Sequence, residues 1–425
     1  MVLNVFKNTV LLFVLVLISC GSKTKNKIIK NDKILNQASS TSASVQDDKN
    51  IIVGANKTEI YLPLLNGKRV GVVANQTSVI FKEITTSQAP RNDSYTHLVD
   101  SLVALNVDVK KVFSPEHGFR GTADAGEHVE DGVDIKTGLP IFSLHGTSKK
   151  PSKEQLEGID IMIFDIQDVG VRFYTYISTL HYIMEACAEN NIPLIVLDRP
   201  NPNSQYIDGP TLEKEHQSFL GMHPIPLVHG MTIGEYAQMI NGENWLLNKA
   251  QCNIKVIPCD NYTHDMSYSL PIRPSPNLPN DQSIKLYPSL GLFEGTNVNA
   301  GRGTEFQFQR YGSPFLNPET MTFTYTPQSN FGAKYPKHKD ELCYGEDLSN
   351  VTVKDEMTLK WIIKAYKNST DKSLFFNTNN FTKHAGTAKL QKQIEAGTTE
   401  ADIKATWQED LNTFKKTRNK YLIYN

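Results

Sequence analysis

Short apolar runs recur along the first part of the chain, and polar segments separate them. Four runs are strong and two are weaker; in chain order they cover 69–74, 107–113, 139–144, 159–164, 192–197 and 254–257. Strands buried on both faces have this continuous pattern, because helices cover a parallel sheet on each side. With helical segments between the runs, the pattern predicts an α/β fold with an open parallel sheet.

Helical periodicity lies between the apolar runs. Apolar side chains at spacings of three and four predict one amphipathic helix; they are Phe173, Tyr176, Ile177, Leu180, Ile183, Met184 and Cys187. A second helix is predicted over 95–105, and a third from Thr232, where Glu235 completes a capping box. Nearer the C-terminus, 359–366 is predicted to be helical and 402–421 to be one long helix.

From about Pro271 the pattern becomes irregular and rich in proline. Residues 271–279 contain four prolines, which a helix interior cannot accommodate. We therefore predict an α/β domain over 51–265 and a smaller α+β auxiliary domain over 266–425. The second domain is expected to pack over the edge of the first sheet, with a cleft between the two.

The N-terminus has the pattern of an export signal. Lys7 precedes an unbroken apolar run over 10–18, which is too short for a membrane-spanning helix but suits a signal-peptide core. The sequence Leu-Ile-Ser-Cys at 17–20 resembles a bacterial lipobox, so residues 1–20 are predicted to be a lipoprotein signal with acylation of Cys20. The alternative is an ordinary signal peptide that contains a cysteine. The polar segment 21–50 is predicted to be a disordered tether to the membrane, in the cell envelope on the periplasmic side.

Composition narrows the function. The chain has 425 residues and a net charge of −1, with 39% hydrophobic residues. This excludes collagenous, coiled-coil and disulfide-dense proteins, and the lack of a basic surplus argues against nucleic-acid binding. Oligomeric state is not predicted from these features.

The sequence offers no sign of a cofactor or metal. No GxGxxG or GxxxxGK[ST] follows a strand, and no CxxC or histidine cluster suggests zinc. Cys187 is predicted to be a buried thiol, while a Cys252–Cys259 disulfide is left open. His181 and Glu185 are four residues apart but lie off the apolar stripe, so we predict a solvated pair.

Polar residues follow four of the predicted strands. They include Asn75 after the first, 114–121 after the second, 165–172 after the fourth and 198–203 after the fifth. Ligands of open parallel sheets bind outside the carboxyl ends of the strands. These segments are therefore expected to line a binding cleft.

Six longer motifs together resemble one family. They are SPEHGFRG (114–121), DIQDVGVRFYTY (165–176), LDRPNPN (197–203), HGMTIGE (229–235), RPSPNLP (273–279) and FEGTNVNAGRGT (293–304), with YLIY at 421–424 also fitting. The sequence resembles the NamZ-type exo-β-N-acetylmuramidases over nearly all of 51–425. One departure is Asn299, where serine is expected.

The resemblance implies a Rossmann-like domain with an auxiliary domain. It also implies a glycosidase that hydrolyses β-1,4-linked N-acetylmuramic acid from the non-reducing end of peptidoglycan fragments, in cell-wall recycling. Two other functions are kept. One is a non-catalytic lipoprotein that binds peptidoglycan fragments. The other is an esterase or amidase, which lacks support because no GxSxG elbow follows a strand.

Glycoside hydrolysis requires a proton donor and usually a second carboxylate. Glu116 is the predicted acid, with a salt bridge to Arg120 as its alternative. Asp168, Glu294 and Glu127 compete for the second role, and Asp168 has a helix-capping alternative. The substrate's own acetamido group is a further candidate nucleophile.

Substrate contacts are predicted from side-chain chemistry. The planar fork of arginine matches the lactyl carboxylate of N-acetylmuramic acid, and the candidates are Arg172, Arg273 and Arg302, with Asp168 as the alternative partner of Arg172. Tyr174 is the predicted sugar-stacking ring, whereas Tyr176 is expected in the core. The remaining candidates are His117 and Arg120 beside Glu116, and four amides for hydroxyl or acetamido groups: Asn75, Asn201, Asn203 and Asn277.

Overall fold

Twelve strands and eleven α-helices are found in residues 50–82, 95–121, 131–146 and 148–425, which the computed structural model describes. The strands are β1 (Val70–Ala74), β2 (Val79–Phe81), β3 (Tyr95–His97), β4 (Val109–Ser114), β5 (Gly132–Val133), β6 (Pro140–Ser143), β7 (Ile161–Asp165), β8 (Leu194–Leu197), β9 (Ile254–Ile257), β10 (Arg310–Ser313), β11 (Phe323–Tyr325) and β12 (Cys343–Asp347). The helices are α1 (Thr58–Leu65), α2 (Leu98–Ala104), α3 (Lys153–Leu156), α4 (Tyr176–Glu189), α5 (Ile233–Gly242), α6 (Asp281–Leu290), α7 (Lys360–Lys367), α8 (Thr378–Ala385), α9 (Lys389–Glu395), α10 (Glu400–Ala405) and α11 (Gln408–Arg418).

Seven strands form one large sheet in the order β5-β6-β4-β1-β7-β8-β9. All neighbouring strands are parallel except β5 and β6, which pair antiparallel at the edge. Every predicted strand is present in this sheet, although several begin one or two residues later than the apolar run. The predicted parallel α/β fold is confirmed.

Helices cover both faces of the sheet, so alternate residues of its central strands enter different cores. Val72 packs in a cluster with Tyr61 of α1 and Leu98 of α2. The next residue, Val73, belongs to the other cluster, which includes Leu180 of α4. Side chains of a strand point alternately to opposite faces, and burying both accounts for the continuous apolar runs.

The second part of the chain contains a three-stranded antiparallel sheet in the order β10-β12-β11, together with α7 to α11. This is the predicted smaller α+β domain. Its buried side chains, such as Phe293 and Phe381, belong to the same hydrophobic cluster as α4 and α5. The described residues from 50 to 425 belong to one compact unit, and the boundary at residue 265 stays a prediction.

Two predicted helices are wrong in extent. The segment 95–105 begins as a strand, because β3 pairs antiparallel with β2 and the helix starts only at Leu98. The long helix over 402–421 divides into α10 and α11 around Thr406. There the backbone bonds from Thr406 to Ile403 and from Trp407 to Lys404 close three-residue turns, which tighten the chain.

The predicted solvated pair His181–Glu185 is wrong, because almost all of α4 is buried. Nδ1 of His181 lies 3.0 Å from Nε2 of His223, whose Nδ1 lies 2.8 Å from the Tyr236 hydroxyl. Glu185 accepts a hydrogen bond from Lys150 at 2.8 Å. A helix covered on several sides has no solvent face, and its own periodicity does not reveal the extra covering.

The predicted buried state of Cys187 is confirmed, and the disulfide left open between Cys252 and Cys259 is absent, since all four described cysteines are free thiols. Among the described helices, none combines the length and the apolar character that crossing a bilayer requires. Cys20 and the segment 21–49 lie outside the described residues.

Candidate active site

A cleft with an empty volume of about 610 Å³ opens beside the loop that follows β4 and the start of α4. The described residues that line it are Glu116, His117, Phe173, Tyr174, Thr175, Tyr176, Leu220, Ser275, Asn277, Leu278, Tyr287, Glu294, Arg302, Phe308 and His384. The sequence-predicted residues in this set are Glu116, His117, Tyr174, Asn277, Glu294 and Arg302.

Glu116 enters the cleft from a tight turn after β4. The turn closes with a hydrogen bond from the Gly118 amide to the Pro115 carbonyl, and both His117 and Gly118 have left-handed backbone angles. Oε2 of Glu116 accepts a hydrogen bond of 3.1 Å from the Thr175 hydroxyl. A carboxyl group just beyond a strand end is thereby oriented by the residue that precedes α4.

Glu294 enters the cleft from the second part of the chain, in a short 3-10 turn over Gly291–Gly295. Nε of Arg302 donates to its Oε1 at 2.9 Å, and about a quarter of each side chain is exposed. Burial alone would raise the pKa of Glu294, but Arg302, Lys337 and His384 outweigh it and lower this pKa. Glu294 is therefore an ionised carboxylate near neutral pH.

Tyr174 and Tyr176 fix the proline-rich segment at the cleft. The Tyr174 hydroxyl donates to the Pro274 carbonyl at 2.8 Å, and the Tyr176 hydroxyl lies 3.3 Å from the same oxygen. Burial raises the pKa of both hydroxyls, so they remain neutral donors. Tyr174 lines the cleft, and its role as a sugar-stacking ring stays a prediction. Tyr176 lies in the core as predicted, and it also contributes to the cleft wall.

Asn277 lines the cleft, and its side-chain oxygen is a buried hydrogen-bond acceptor. Its Nδ2 donates to the Gly332 carbonyl at 2.7 Å, which fixes the orientation of the amide. Within the described ranges, Oδ1 has no hydrogen-bond donor, although the side chain is buried. An unpaired buried acceptor favours a ligand group that donates a hydrogen bond.

Asn299, where the family resemblance leads one to expect serine, holds the turn that carries Arg302. Its Nδ2 donates to the Lys337 carbonyl at 2.7 Å and to the Arg302 carbonyl at 3.1 Å, and its Oδ1 accepts from the Gly301 amide at 2.6 Å. The side chain is 1% exposed. Its role is therefore to shape the loop.

The lining residues that sequence reasoning left out of the site include Thr175, Tyr287 and His384. Thr175 lies inside the DIQDVGVRFYTY segment, where its hydroxyl was the available clue. Tyr287 and His384 come from α6 and α8, which contain no recognisable motif. Nδ1 of His384 lies 2.9 Å from the Asn380 carbonyl, and burial lowers the pKa of this histidine, so Nε2 is left as an acceptor.

Asp168 lies outside the lining of the cleft and is almost fully buried. Its Oδ2 accepts a hydrogen bond from the Gly170 amide at 2.7 Å and lies 3.7 Å from Nε2 of His229. Burial raises the pKa of Asp168 to about 7. The alternative of an Asp168–Arg172 pair is wrong, because Arg172 binds elsewhere.

Arg172 is fully buried and its terminal nitrogens are occupied by backbone carbonyls. Nη1 donates to Pro210 and Ile225 at 2.7 and 2.8 Å, while Nη2 donates to His384 and Ala385 at 3.2 and 2.7 Å. The structure does not bring this arginine into the cleft. It joins the end of α8 to the first part of the chain.

Three predicted amides stabilise the loops at the strand ends and do not line the cleft. Nδ2 of Asn75 donates to the Tyr176 hydroxyl at 3.0 Å. Asn201 donates to the Met231 carbonyl at 2.9 Å, and Asn203 donates to the Val169 carbonyl at 2.9 Å. All three are buried, so their polar groups shape the edge of the sheet.

The alternative of a Glu116–Arg120 salt bridge is wrong. Arg120 pairs with Asp100 at 3.0 Å and Asp134 at 2.8 Å, and it is not part of the cleft lining. Arg273 is exposed beside the cleft segment but does not line it. Glu127 lies outside the described residues.

Two carboxylates of contrasting surroundings, buried tyrosines and an arginine meet in one cleft near the strand ends of a parallel sheet. Glycoside hydrolases use such a pair of carboxyl groups around the bond that they cleave. The fold and the site therefore have the groups that a carbohydrate-hydrolysing α/β enzyme requires.

The chain belongs to the exo-β-N-acetylmuramidase NamZ family. The family's N-terminal model matches residues 70–282 and its C-terminal model matches residues 285–424. The chain is 41% identical over 388 residues to the peptidoglycan β-N-acetylmuramidase NamZ of Bacillus subtilis strain 168, covering 86% of this chain and 89% of that protein.

Two crystal structures of DUF1343 family proteins from Bacteroides fragilis NCTC 9343 share the fold. One is 44% identical with a TM-score of 0.79, and covers 89% of this chain and 99% of its own. The other is 28% identical with a TM-score of 0.71, and covers 88% of this chain and 99% of its own.

Proposed function

We propose that this protein is an exo-β-N-acetylmuramidase that releases N-acetylmuramic acid from the non-reducing end of peptidoglycan fragments during cell-wall turnover and salvage. The observation that carries the proposal is that Glu116 and Glu294 line one cleft, where Arg302 keeps Glu294 ionised. Membership of the NamZ family and the named activity of the Bacillus subtilis relative support the same substrate.

Glu116 is the proposed general acid. It protonates the glycosidic oxygen as the bond to the anomeric carbon breaks, so that the remaining saccharide leaves as a neutral alcohol. The transition state has the positive charge of an oxocarbenium ion. The ionised Glu294 stabilises this charge, whether the anomeric carbon is attacked by water, by a carboxylate or by the substrate's acetamido oxygen.

Arg302 is the proposed contact for the lactyl carboxylate. Its Nε is bound to Glu294, while no acceptor among the described residues is hydrogen-bonded to its terminal nitrogens. The edge formed by the two terminal nitrogens of a guanidinium group suits a planar carboxylate. Oδ1 of Asn277 is the proposed acceptor for the acetamido N–H or a ring hydroxyl.

The test compares a synthetic N-acetylmuramyl β-glycoside with the matching N-acetylglucosaminide. We expect release of N-acetylmuramic acid, and we expect Glu116→Gln to lower kcat by about 10²–10⁴-fold. Glu319→Gln, which changes an exposed glutamate, is the matched control and should retain activity. Folded wild-type protein that releases no N-acetylmuramic acid from the muramyl glycoside would refute the proposal. Proton NMR of the first anomer formed distinguishes retention from inversion.

We further propose that the protein is a lipoprotein anchored in the cell envelope through acylated Cys20 and located in the periplasm. Support comes from the apolar run over 10–18 and the Leu-Ile-Ser-Cys sequence that follows it. Mass spectrometry of protein made in its host should find an acylated peptide that begins at Cys20. The anchor would be contradicted if Cys20 were unmodified and the wild-type protein were found in the soluble fraction, as expected for a Cys20→Ala variant.

A further inference from the structure

Thr175 occupies the N-cap of α4 without capping it. Its backbone angles are φ −71° and ψ 0°, and its side chain makes no capping hydrogen bond. An N-cap threonine normally accepts a hydrogen bond from an amide two or three residues later, with an extended ψ. Thr232 at the start of α5 does this, with ψ 167° and a hydrogen bond of 3.3 Å from the Glu235 amide.

The Thr175 hydroxyl is directed to Glu116. It lies 3.1 Å from Oε2 of that carboxyl, and both residues line the cleft. The Thr175 carbonyl accepts from the amides of Ser178 and Thr179, both at 3.0 Å, so the first turn of α4 fixes its backbone. The hydroxyl is therefore presented from a rigid support.

A hydroxyl group suits both protonation states of a general acid. It donates to the ionised carboxylate and accepts from the protonated carboxyl, because one oxygen carries both functions. A bond maintained through a proton-transfer cycle keeps the carboxyl in one orientation. Catalytic groups that are displaced by about 1 Å lose roughly 10²-fold in rate.

We propose that Thr175 is a positioning residue for the reaction, holding the Glu116 carboxyl toward the glycosidic oxygen in place of capping α4. The inference rests on the proposed role of Glu116 as the acid. It is independent of which group attacks the anomeric carbon.

The experiment measures kcat, KM and Tm of the full chain and its variants with the synthetic N-acetylmuramyl β-glycoside. Thr175→Val removes the hydroxyl at nearly constant shape, and we expect kcat to fall by about 10- to 100-fold with KM within about twofold. Thr175→Ser should restore most of kcat. Because the N-cap bond is already absent, Tm of Thr175→Val should fall by no more than about 2 °C.

Thr232→Val is the matched control, because Thr232 caps α5 and also donates to Asp198 at 2.7 Å. We expect it to lower Tm more than Thr175→Val does while kcat of the folded protein is retained. In a double-mutant cycle, Thr175→Val should have little further effect on a Glu116→Gln background.

The outcomes separate this inference from the proposed function. Wild-type kcat in Thr175→Val together with an inactive Glu116→Gln overturns the positioning role and leaves the acid in place. A fall in kcat that Thr175→Ser does not rescue and that parallels Tm overturns it as well. Full activity of Glu116→Gln refutes the acid itself.

Discussion

The Asp165–Arg199 pair and the Glu294–Arg302 pair have the same chemistry but different surroundings. Nε and Nη2 of Arg199 donate to the two carboxylate oxygens of Asp165 at 2.6 and 2.9 Å. Nη2 also donates to the Val79 carbonyl at 2.9 Å. The side chains are 3% and 0% exposed. Arg302 touches Glu294 through Nε alone, and each side chain is about a quarter exposed.

The difference shows how structural and functional charges are distinguished in this fold. In the first pair, the polar groups are turned toward one another and toward the backbone, so the pair joins β7 to the loop after β8. In the second pair, no described residue forms a hydrogen bond with the terminal nitrogens of Arg302 or with the second oxygen of Glu294, and both residues line the cleft. A charged side chain can bind a ligand only through polar atoms that are not already hydrogen-bonded within the protein.

Breaking the inner pair should have the largest effect on stability. Arg199→Met leaves Asp165 buried without its cation, and we expect a loss of about 3–5 kcal/mol in the free energy of unfolding. Urea denaturation followed by circular dichroism measures it. A loss below about 1 kcal/mol would show that the buried carboxylate is readily neutralised and would remove the contrast between the two pairs.

Breaking the cleft pair should instead affect activity. Arg302→Met is expected to change stability by no more than about 1 kcal/mol, because the pair is partly exposed, and to lower kcat/KM by about 10- to 100-fold. Arg302 lowers the pKa of Glu294, so its removal raises that pKa and moves the acidic limb of the pH–rate profile to higher pH. An unmoved limb would mean that Lys337 and His384 suffice to hold Glu294 ionised.

The Arg302 variant also tests the lactyl contact. Calorimetric titration of N-acetylmuramic acid and N-acetylglucosamine into wild type and Arg302→Met separates the two sugars by their carboxylate. Affinity should fall for the first sugar and change little for the second. Equal losses for both sugars would assign Arg302 to Glu294 alone.

Asp168, which lies outside the cleft lining, should have a smaller and pH-dependent effect on the free energy of unfolding. Its pKa is raised to about 7 by burial, so the folded state favours the protonated form. The resulting stability is full below the unfolded pKa of about 3.9 and is lost as pH rises through about 7. Asp168→Asn mimics the protonated group, and its advantage over wild type should widen by on the order of 2 kcal/mol between pH 5 and pH 8.

Denaturation series at several pH values measure this widening, with His229 unchanged. A stability difference that is flat across the range would show that Asp168 is ionised in the folded protein with a partner that compensates it. If the Asp168→Asn variant is fully stable but inactive, Asp168 is a catalytic residue.

The smallest effect is expected at Arg120, on the ion network outside the cleft. Arg120→Gln should lose less than about 1 kcal/mol, and the loss should shrink in high salt. Its kcat/KM for the muramyl glycoside should equal that of the wild type. A higher KM at unchanged Tm would make Arg120 a ligand contact after all.

The edge of the sheet that carries the site could be predicted from the sequence. Each apolar run marks a buried strand, and the residues that follow the run lie at the carboxyl end of that strand. The pattern did not determine where each polar side chain points. Asn75, Asn201 and Asn203 lie at the predicted edge, yet their amides bind backbone and hydroxyl groups of neighbouring segments.

The missing parts of the site come from distant segments. Tyr287 and His384 reach the cleft from α6 and α8, whose place over the first sheet depends on packing between elements far apart in sequence. The break near Thr406 was not predicted either, because the apolar positions Ile403, Trp407 and Leu411 are buried in both the predicted and the observed arrangement. Hydrophobic periodicity indicates which face of a helix is buried, but it does not indicate where the helix axis changes direction.

Arg172 has a consequence for genetic experiments. Through the carbonyls of His384 and Ala385, 212 and 213 positions away, it fixes the wall of the cleft that carries the His384 ring. A screen that scores only loss of function would group Arg172 with Glu116, although one change removes the chemistry and the other removes the wall. Scoring protein abundance alongside activity would separate them, and a second-site suppressor should be recoverable only for Arg172.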